Sequence, residues 1–570
     1  MPQPSPLDWL EIAKDPFVLL DFEGSQKLYR HPRELIEARD HADVLPALER
    51  LRGQDAFGFL AYEAGFALEP ALDAPTSEPA LPLLWFMTGC RCEQPPPLPD
   101  PNSAWAGAPA PAIDRAAYRA ALRDIHERIL EGDLYQANFT FAAEVRTQGH
   151  PLALFAQLRE RAQGRWSAIV HTGSHWILSF SPELFFTCDA GLVTCRPMKG
   201  TAASGSDAES LQNDPKQRAE NLMIVDLIRN DLSRVAAPGG VQVPELFTVE
   251  TFPTLLQMTS TVTARLRSGQ SAIDVLRAIF PCGSITGAPK INAMQILSDL
   301  ESAPRGIYTG SIGALSADGN GAFNVAIRTL VLPAESNIAH MGLGSGIVAD
   351  SLPEDEWDEC KRKGAFVATP VAFTLIETMR VDAVGTLPDL KAHLDRLGRS
   401  AADFGFAFDR TAVEADLLRR TDGQGPGRLR LELAHDGSWL TQMSEIPQSP
   451  EIADIAICRH AVFPEDYRLR HKTSDRDFYD APRRASGAFE ILFTDHDGYL
   501  TEGSFTNLFV QRDGRLITPP IGRGLLPGIL RQSLLNSGEA VEDDLRAEDL
   551  AAHFYIGNAV RGLIRGRLRS

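Results

Sequence analysis

Several features are missing from this 570-residue chain, and each absence closes off a class of protein. The seven cysteines are scattered, odd in number and without a Cys-x-x-Cys pair. That pattern argues against a disulfide framework or structural zinc and for a reducing compartment. No apolar stretch approaches the ~20 residues a membrane helix needs, and Met1-Pro2-Gln3-Pro4-Ser5 lacks a basic segment leading into an apolar run. Positive charge is in deficit. A formal net charge of −19 repels phosphate at long range. It therefore speaks against nucleic-acid and anionic-membrane partners, but it leaves room for a small anion in a locally basic pocket. Gly342, Gly344 and Gly346 do not have the Gly-x-Gly-x-x-Gly spacing of a dinucleotide fold. Gly287-Ala288-Pro289-Lys290 lacks the Gly-Lys-Ser/Thr of a Walker loop. No internal repeat is visible. What is left is the expectation of a soluble, cytoplasmic protein.

The composition, 44% hydrophobic and 23% charged, is that of a globular protein too long for one core. Residues 93–112, with Pro95-Pro96-Pro97, Pro99, Pro101, Pro109 and Pro111, read as an extended connector with no packed element. It separates an N-terminal subdomain (1–92) from residues 113–369. Asp114 caps a helix whose apolar face is Tyr118, Leu122, Ile125 and Ile129, and Gly132 ends it. Leu134 to Val145 has strand composition. Asp214 and Pro215 open a long helix over 215–235. Asp350-Ser351-Leu352-Pro353-Glu354 reads as a capping box for a last helix running through Lys363. The pattern restarts at Thr369-Pro370 with a strand from Phe373 to Met379, so the main boundary divides 1–369 from 370–570.

Lys199 lies in Arg196-Pro197-Met198-Lys199-Gly200-Thr201, between a stiff entry and a glycine exit that lets backbone approach a ligand. Alone it reads as a solvated surface charge. Its company is Tyr135-Gln136-Ala137-Asn138, Ser181-Pro182-Glu183, Val225 to Leu232, Gly287-Ala288-Pro289-Lys290 and Gly344 to Ser351. In that order and spacing the set resembles the chorismate-utilising enzymes, the family of anthranilate synthase and aminodeoxychorismate synthase. Lysine in the Pro-x-Lys-Gly-Thr position is similar to the aminodeoxychorismate synthase branch, where anthranilate synthases usually carry alanine.

Read without the family, Glu220 among Leu222, Ile224, Val225 and Leu227 is either an exposed helix glutamate or a carboxylate in need of a partner. Glu356, Glu359 and Lys363 share one helix face, which fits a solvated charged stripe equally well. The resemblance implies that Glu220 and Glu359 hold Mg²⁺ with Glu356 close by, orienting the ring carboxylate of chorismate. It implies that Arg328 holds the enolpyruvyl carboxylate. Gln136, Thr201, Tyr308, Gly344, Gly346 and Lys363 complete the substrate contacts. Lys199, its pKa lowered by burial or by cations such as Arg196, is implied to attack C2 and expel the 4-hydroxyl. Ammonia then attacks C4. Gln136 replaces the lysine base of the water-using branches, which favours an amine donor. Gln257, where many relatives have histidine, leaves the acid for the departing hydroxyl unassigned. Leu19-Leu20-Asp21-Phe22 reads as an ordinary strand. No cysteine lies in a glutaminase context, so a separate glutamine amidotransferase subunit, or free ammonia, is implied.

A second set runs from residue 371: Glu377-Thr378-Met379-Arg380, His393 to Leu397, His471-Lys472-Thr473, Thr501 to Phe509 and Leu526-Pro527-Gly528-Ile529. It resembles the class IV (fold-type IV) pyridoxal-phosphate enzymes. By that match Lys472 binds the cofactor covalently, Glu502 bonds its pyridine nitrogen, and Arg396 with Gly528 and Ile529 meets its phosphate. In isolation these would be a basic surface loop, a turn carboxylate and a helix surface charge. Asn558-Ala559, where transaminases often carry Thr-Ser, is similar to the lyase variant, aminodeoxychorismate lyase.

The expected fold is α+β: an anthranilate synthase component I-like domain of two stacked sheets, then a fold-type IV domain of two α/β lobes with the cofactor between them. The expected chemistry is amination of chorismate at C4, then pyruvate elimination to 4-aminobenzoate. The rival is an anthranilate synthase component joined to an amino-acid aminotransferase. Dimerisation through the C-terminal domain is a further expectation from the resemblance.

Overall fold

The computed structural model describes residues 4–75, 80–203, 207–251 and 255–569. Its N-terminal part is built from two large antiparallel sheets, one of 11 strands and one of 10. Val18, Leu20, Val170 and Ile177 from the first interdigitate with Phe59, Trp85, Met87 and Ile312 from the second, forming a core between the sheets. The outer face of the first sheet is covered by the helices Arg115–Glu131, Pro151–Ala162 and Lys290–Leu300. That of the second is covered by His41–Arg50, Pro215–Ser233 and Ala272–Ile279. The layers follow from strand alternation: every face that is apolar in the sequence has a partner.

Most expected elements form close to their anticipated bounds. Asp114 caps Arg115–Glu131, accepting from the Ala117 amide at 2.8 Å, and Gly132 closes it in the left-handed region. The strand Gln136–Gln148 pairs over ten residues with Ile338–Ile347. Asp214 caps Pro215–Ser233 through the Gln217 amide. Leu19 to Phe22 lies in an ordinary strand, Phe17–Phe22. Motif residues far from any ligand also find roles here, since Lys290 forms a buried ion pair with Asp231.

Two expectations are corrected. The Pro-rich connector is packed. Trp105–Ala106 and Ala110–Pro111 pair with Gln136–Gln148, and buried Trp105 packs edge-on against Phe404 at 5.2 Å. Proline excludes helix but tolerates short strands at a sheet margin, which is how the segment is used. The capping box before Pro353–Gly364 does not form. The N-cap falls one residue later, at Leu352, so Ser351 instead accepts from the Val348 amide and donates to Glu356 Oε1 at 2.7 Å.

The C-terminal part has a three-stranded antiparallel sheet backed by Leu390–Phe404 and Arg410–Thr421, and an eight-stranded mixed sheet. The pairing Glu502↔Asn507 closes six strands of the larger sheet into a ring. The lobes are stitched together beside Lys472, where the Ile376 amide donates to its carbonyl and Leu375 bridges Thr473. The N- and C-terminal parts interlock reciprocally. Trp105 sits in the core of the smaller lobe, and Phe463 stacks edge-on with His150 in the core of the first sheet.

Candidate active sites

Lys199 sits on the edge strand Met198–Ala203, at a place where the register slips. Met198 faces Thr259 and Thr201 faces Gln257, so Lys199 and Gly200 together oppose the single residue Met258. This is a β-bulge, which bends the strand and re-aims its side chains. Gly200 takes φ +89 there. The amine is thereby turned toward the strand Ile338–Ile347: a Cβ added to Gly346 would lie 3.6 Å from Lys199 Nζ and 2.8 Å from Gln136 Nε2. Gly344 is equally tight, since its Cβ would meet the Phe139 carbonyl at 2.6 Å. Of Thr201 only the backbone pairing is described; its side chain lies outside the described residues.

Burial lowers the pKa of Lys199, and the like charge of Lys363 lowers it further, against the pull of Glu220, Glu183 and Glu359. The expected cation is thus replaced by another: Arg196 is held 2.6 Å from Glu250, and Lys363 takes its part. Lys363 bonds Glu359 at 2.8 Å and the Gly344 carbonyl at 3.0 Å.

Glu220 and Glu359 come within electrostatic reach of each other and of Lys199, whereas Glu356 turns to Ser351. Among the described residues no three acidic, histidine or cysteine side chains converge into a metal-binding group. The donor set is two carboxylates, Glu220 and Glu359, one of them already tied to Lys363. Carboxylate oxygens suit a hard cation that keeps its own waters.

Arg328 lies in a loop just before the strand Thr329–Pro333, at φ +50. Its guanidinium donates to the Ala162 carbonyl at 2.7 Å and has no carboxylate partner among the described residues. Burial alone lowers its pKa. A buried cation balanced only by a neutral carbonyl is a seat for an anion. The Tyr308 ring packs on Gly342, where a Cβ would meet it at 2.0 Å.

Glu183 belongs to a motif that the sequence singled out without giving it a role. Its carboxyl is buried and pushed up to about 7 by burial, within the field of Lys199 and Lys363, and it accepts from Ser284 Oγ at 2.9 Å. The sequence held one signal, a carboxylate closing a strand end beside Pro182.

The second site is a cavity of about 670 Å³ lined by both C-terminal lobes. Lys472 lines it, its pKa pushed down to about 7 by burial, then by Arg476 and Arg396. Glu502 is pushed up to about 7 by burial and accepts from Tyr479 Oη at 2.5 Å and the Leu526 amide at 3.0 Å. Arg396 forms a two-pronged pair with Glu377 at 2.8 and 2.6 Å. His393 donates to the Glu377 carboxylate through Nδ1 at 2.7 Å, while its buried Nε2, beside the cavity, has no partner.

Gly528 caps the helix Ile529–Ser537 with no side-chain bond, and a Cβ there would collide with Asn507 Oδ1 at 1.8 Å. An orphaned imidazole nitrogen, an arginine and a bare helix N-terminus fit a phosphate. An amine, a protonatable carboxyl and that cradle, all in one cavity, fit pyridoxal phosphate. Asn558 lines the cavity, but its Oδ1 is occupied by the Val560 and Arg561 amides.

The family model described as chorismate binding enzyme matches residues 3–369, and that described as amino-transferase class IV matches residues 374–568. The chain belongs to the chorismate binding enzyme family. Aminodeoxychorismate synthase component 1 of Klebsiella aerogenes is 43% identical over 265 residues, 45% of this chain and 57% of the relative. Anthranilate synthase component 1 of Methanothermobacter thermautotrophicus is 40% identical over 262 residues, 45% of this chain and 56% of the relative. The chain therefore spans little more than half the length of these relatives, and they carry both names.

Among solved structures, anthranilate synthase component I of Streptococcus pneumoniae superposes with a TM-score of 0.51 at 25% identity, covering 62% of this chain and 90% of that one. The expected fold class stands: a chorismate-binding domain of mixed α and β structure followed by a class IV aminotransferase domain. The second domain implies pyridoxal phosphate. No helix among the described residues is long and apolar enough to cross a membrane.

Proposed function

We propose that the chain carries out two consecutive steps: amination of chorismate to 4-amino-4-deoxychorismate, then elimination of pyruvate to give 4-aminobenzoate. The observation that carries the reading is the Lys199 amine, turned by the bulge toward Gln136 and Gly346 with its pKa lowered by burial, and the Glu183 carboxyl, pushed up to about 7, in its field. Lys199 forms a bond to C2 of the ring. Both ring double bonds shift and the C4–O bond breaks, and Glu183 delivers the proton that lets the oxygen leave as water. Ammonia then bonds to C4, both double bonds shift back, and the C2–N bond to Lys199 breaks as a proton passes from the new nitrogen to that of Lys199. The incoming nitrogen ends para to the ring carboxylate. Gln136, a neutral amide, cannot take a proton from water, which favours the amine over hydroxide. Glu220 and Glu359 would hold Mg²⁺, whose charge would orient the ring carboxylate, and Arg328 would hold the side-chain carboxylate.

In the second cavity, pyridoxal phosphate supplies the electron sink for breaking the C4–H bond. Lys472 would be the base at that carbon, Glu502 would keep the ring nitrogen charged, and Arg396, His393 and Gly528 would hold the phosphate. Ammonia comes from a separate glutamine amidotransferase subunit in trans.

Purified protein supplied with chorismate, Mg²⁺ and an ammonium salt should yield 4-aminobenzoate. Accumulation of 2-aminobenzoate would support the rival reading, an anthranilate synthase joined to a transaminase, and would end this one.

A further inference from the structure

Several arginines line the C-terminal cavity, and they fall into two groups. Arg396, Arg430, Arg468 and Arg483 are each held by a carboxylate, those of Glu377, Glu432, Asp466 and Asp480. Arg428, Arg476 and Arg561 have no carboxylate within ion-pair distance among the described residues; Arg476 acts on Lys472, lies over the Tyr479 ring and donates to the Ser504 carbonyl, which leaves Arg428 and Arg561 as the pair contributed by the two lobes.

Arg428 stands on the strand Gly427–Leu433 of the smaller lobe and donates through Nε to Ser444 Oγ at 3.0 Å. Arg561 stands on the opposite lobe, in the turn between Phe554–Asn558 and Gly562–Leu568. One of its nitrogens donates to the Pro447 carbonyl at 2.9 Å, the Gln448 carbonyl at 3.0 Å and Ser449 Oγ at 2.9 Å. Its guanidinium lies 5.7 Å from the centres of both the Phe489 and Phe505 rings. All these hydrogen-bond partners are neutral: they fix where each guanidinium points and leave it without an ion pair, the buried carboxyl of Glu490 acting on Arg561 only through the field. Each fork also keeps donors that none of these bonds uses. The two cations feel each other, since Arg428 lowers the pKa of Arg561 after burial does. Two like charges brought together from different lobes are unfavourable until an anion sits between them.

We propose that Arg428 and Arg561 form a carboxylate seat that selects a cyclic amine bearing two carboxylates over an ordinary monocarboxylate amino acid. This rests on the lyase reading above and adds the residues that would set its substrate range. The seat is separate from the phosphate cradle, which is built from Arg396, His393 and Gly528.

The test uses the full-length holoenzyme and its R428Q, R561Q and R561K variants, with isophthalate as a two-carboxylate probe and benzoate as its one-carboxylate control. Binding is read from the absorbance of the bound pyridoxal phosphate, which reports on the C-terminal cavity alone. Isophthalate should bind the native protein roughly tenfold or more tightly than benzoate. R428Q and R561Q should each erase that preference and raise KM for supplied 4-amino-4-deoxychorismate about tenfold, with kcat within about twofold and cofactor content unchanged. R561K should restore part of the preference. Unchanged isophthalate affinity in both glutamine variants would overturn the proposal. So would a loss that tracks release of pyridoxal phosphate, because the pair would then serve the cofactor. If isophthalate binds as expected but no pyruvate forms from the substrate, the seat stands and the lyase reading falls.

Discussion

Two half-buried lysines have depressed pKa values, and the balance of charge around them differs. Lys199 has three carboxylates in its field, Glu183, Glu220 and Glu359, which oppose burial and the like charge of Lys363. Lys472 lies among arginines, Arg476 and Arg396 adding to burial, and its pKa falls to about 7. In the first site three carboxylates oppose burial and one cation, and in the second two arginines reinforce burial against Glu377 and Glu502. The difference matches the chemistry proposed for each. An amine that must bond to a carbon and then leave gains from nearby acids that carry protons to and from oxygen. An amine that must be a base near neutrality gains from neighbouring positive charge.

The largest break in the comparison comes from removing the amines one at a time. Lys199→Met should lower formation of 4-amino-4-deoxychorismate from ammonium by at least ~10³-fold. The same variant should turn over supplied 4-amino-4-deoxychorismate normally. Lys472→Ala should do the reverse, stopping release of pyruvate while the aminated intermediate accumulates. Chromatography of both products in both variants checks this. A variant that loses both activities together would mean that the two sites are not independent.

Glu183 sharpens the contrast on the acidic side. Glu183→Gln keeps the shape and the Ser284 contact but cannot deliver a proton, so amination should fall ~10²–10⁴-fold with the lyase step untouched. The pH dependence has a definite sign. The folded pKa is raised to about 7, so the acid form is present below that pH and is lost as pH rises through it. The amination rate should therefore decline above about pH 7, and the glutamine variant should lose that decline.

How much of this was legible in the sequence depends on whether a residue's role is local. Helix ends were readable because Asp114, Gly132, Asp214 and Pro215 act on the nearest turn. The lysine motifs were readable because short segments carry them. The packing of Trp105 was not, since its partners Phe404 and Thr369 are far along the chain and a Pro-rich run looks unstructured by composition. The acid role proposed for Glu183 depends on its burial and on Lys199 arriving from a bulge, neither of which has a sequence period. The sign of the field around Lys472 likewise needs Arg476 and Arg396 to meet across two lobes. Arg196 shows the converse: a cation three residues from Lys199 in sequence is spent on Glu250.

On the basic side, Lys472 should make reconstitution depend on pH in the opposite direction. The neutral amine is the form that reacts with an aldehyde, and it predominates above about pH 7. Stripped protein mixed with pyridoxal phosphate should regain its cofactor absorbance about tenfold more slowly at one pH unit below that value than on the plateau. A flat profile from pH 6 to 8 would mean that the arginines do not hold the amine as described. Removing one positive neighbour, by Arg476→Gln, should move the midpoint upward.

The smallest effect concerns the contact through which the connector touches the lysine-bearing loop. Asp100 lies 3.0 Å from Arg468, which lines the second cavity and is also held by Asp466 at 2.7 Å and Asp475 at 3.3 Å. Asp100 is the more exposed partner, and buried Asp466 already fixes the guanidinium through several bonds. Asp100→Asn should therefore cost under ~1 kcal/mol, as an exposed pair does. Neither activity should change by more than about twofold. Asp466→Asn should do far more, because it strips a buried arginine beside Lys472 of its main partner. Thermal melts of both variants, followed by cofactor absorbance, decide whether the N-terminal domain merely rests on the second site or holds it in shape. A loss for Asp100→Asn as large as for Asp466→Asn would make the connector part of the lyase machinery, and the two sites would no longer be separate units that share a chain.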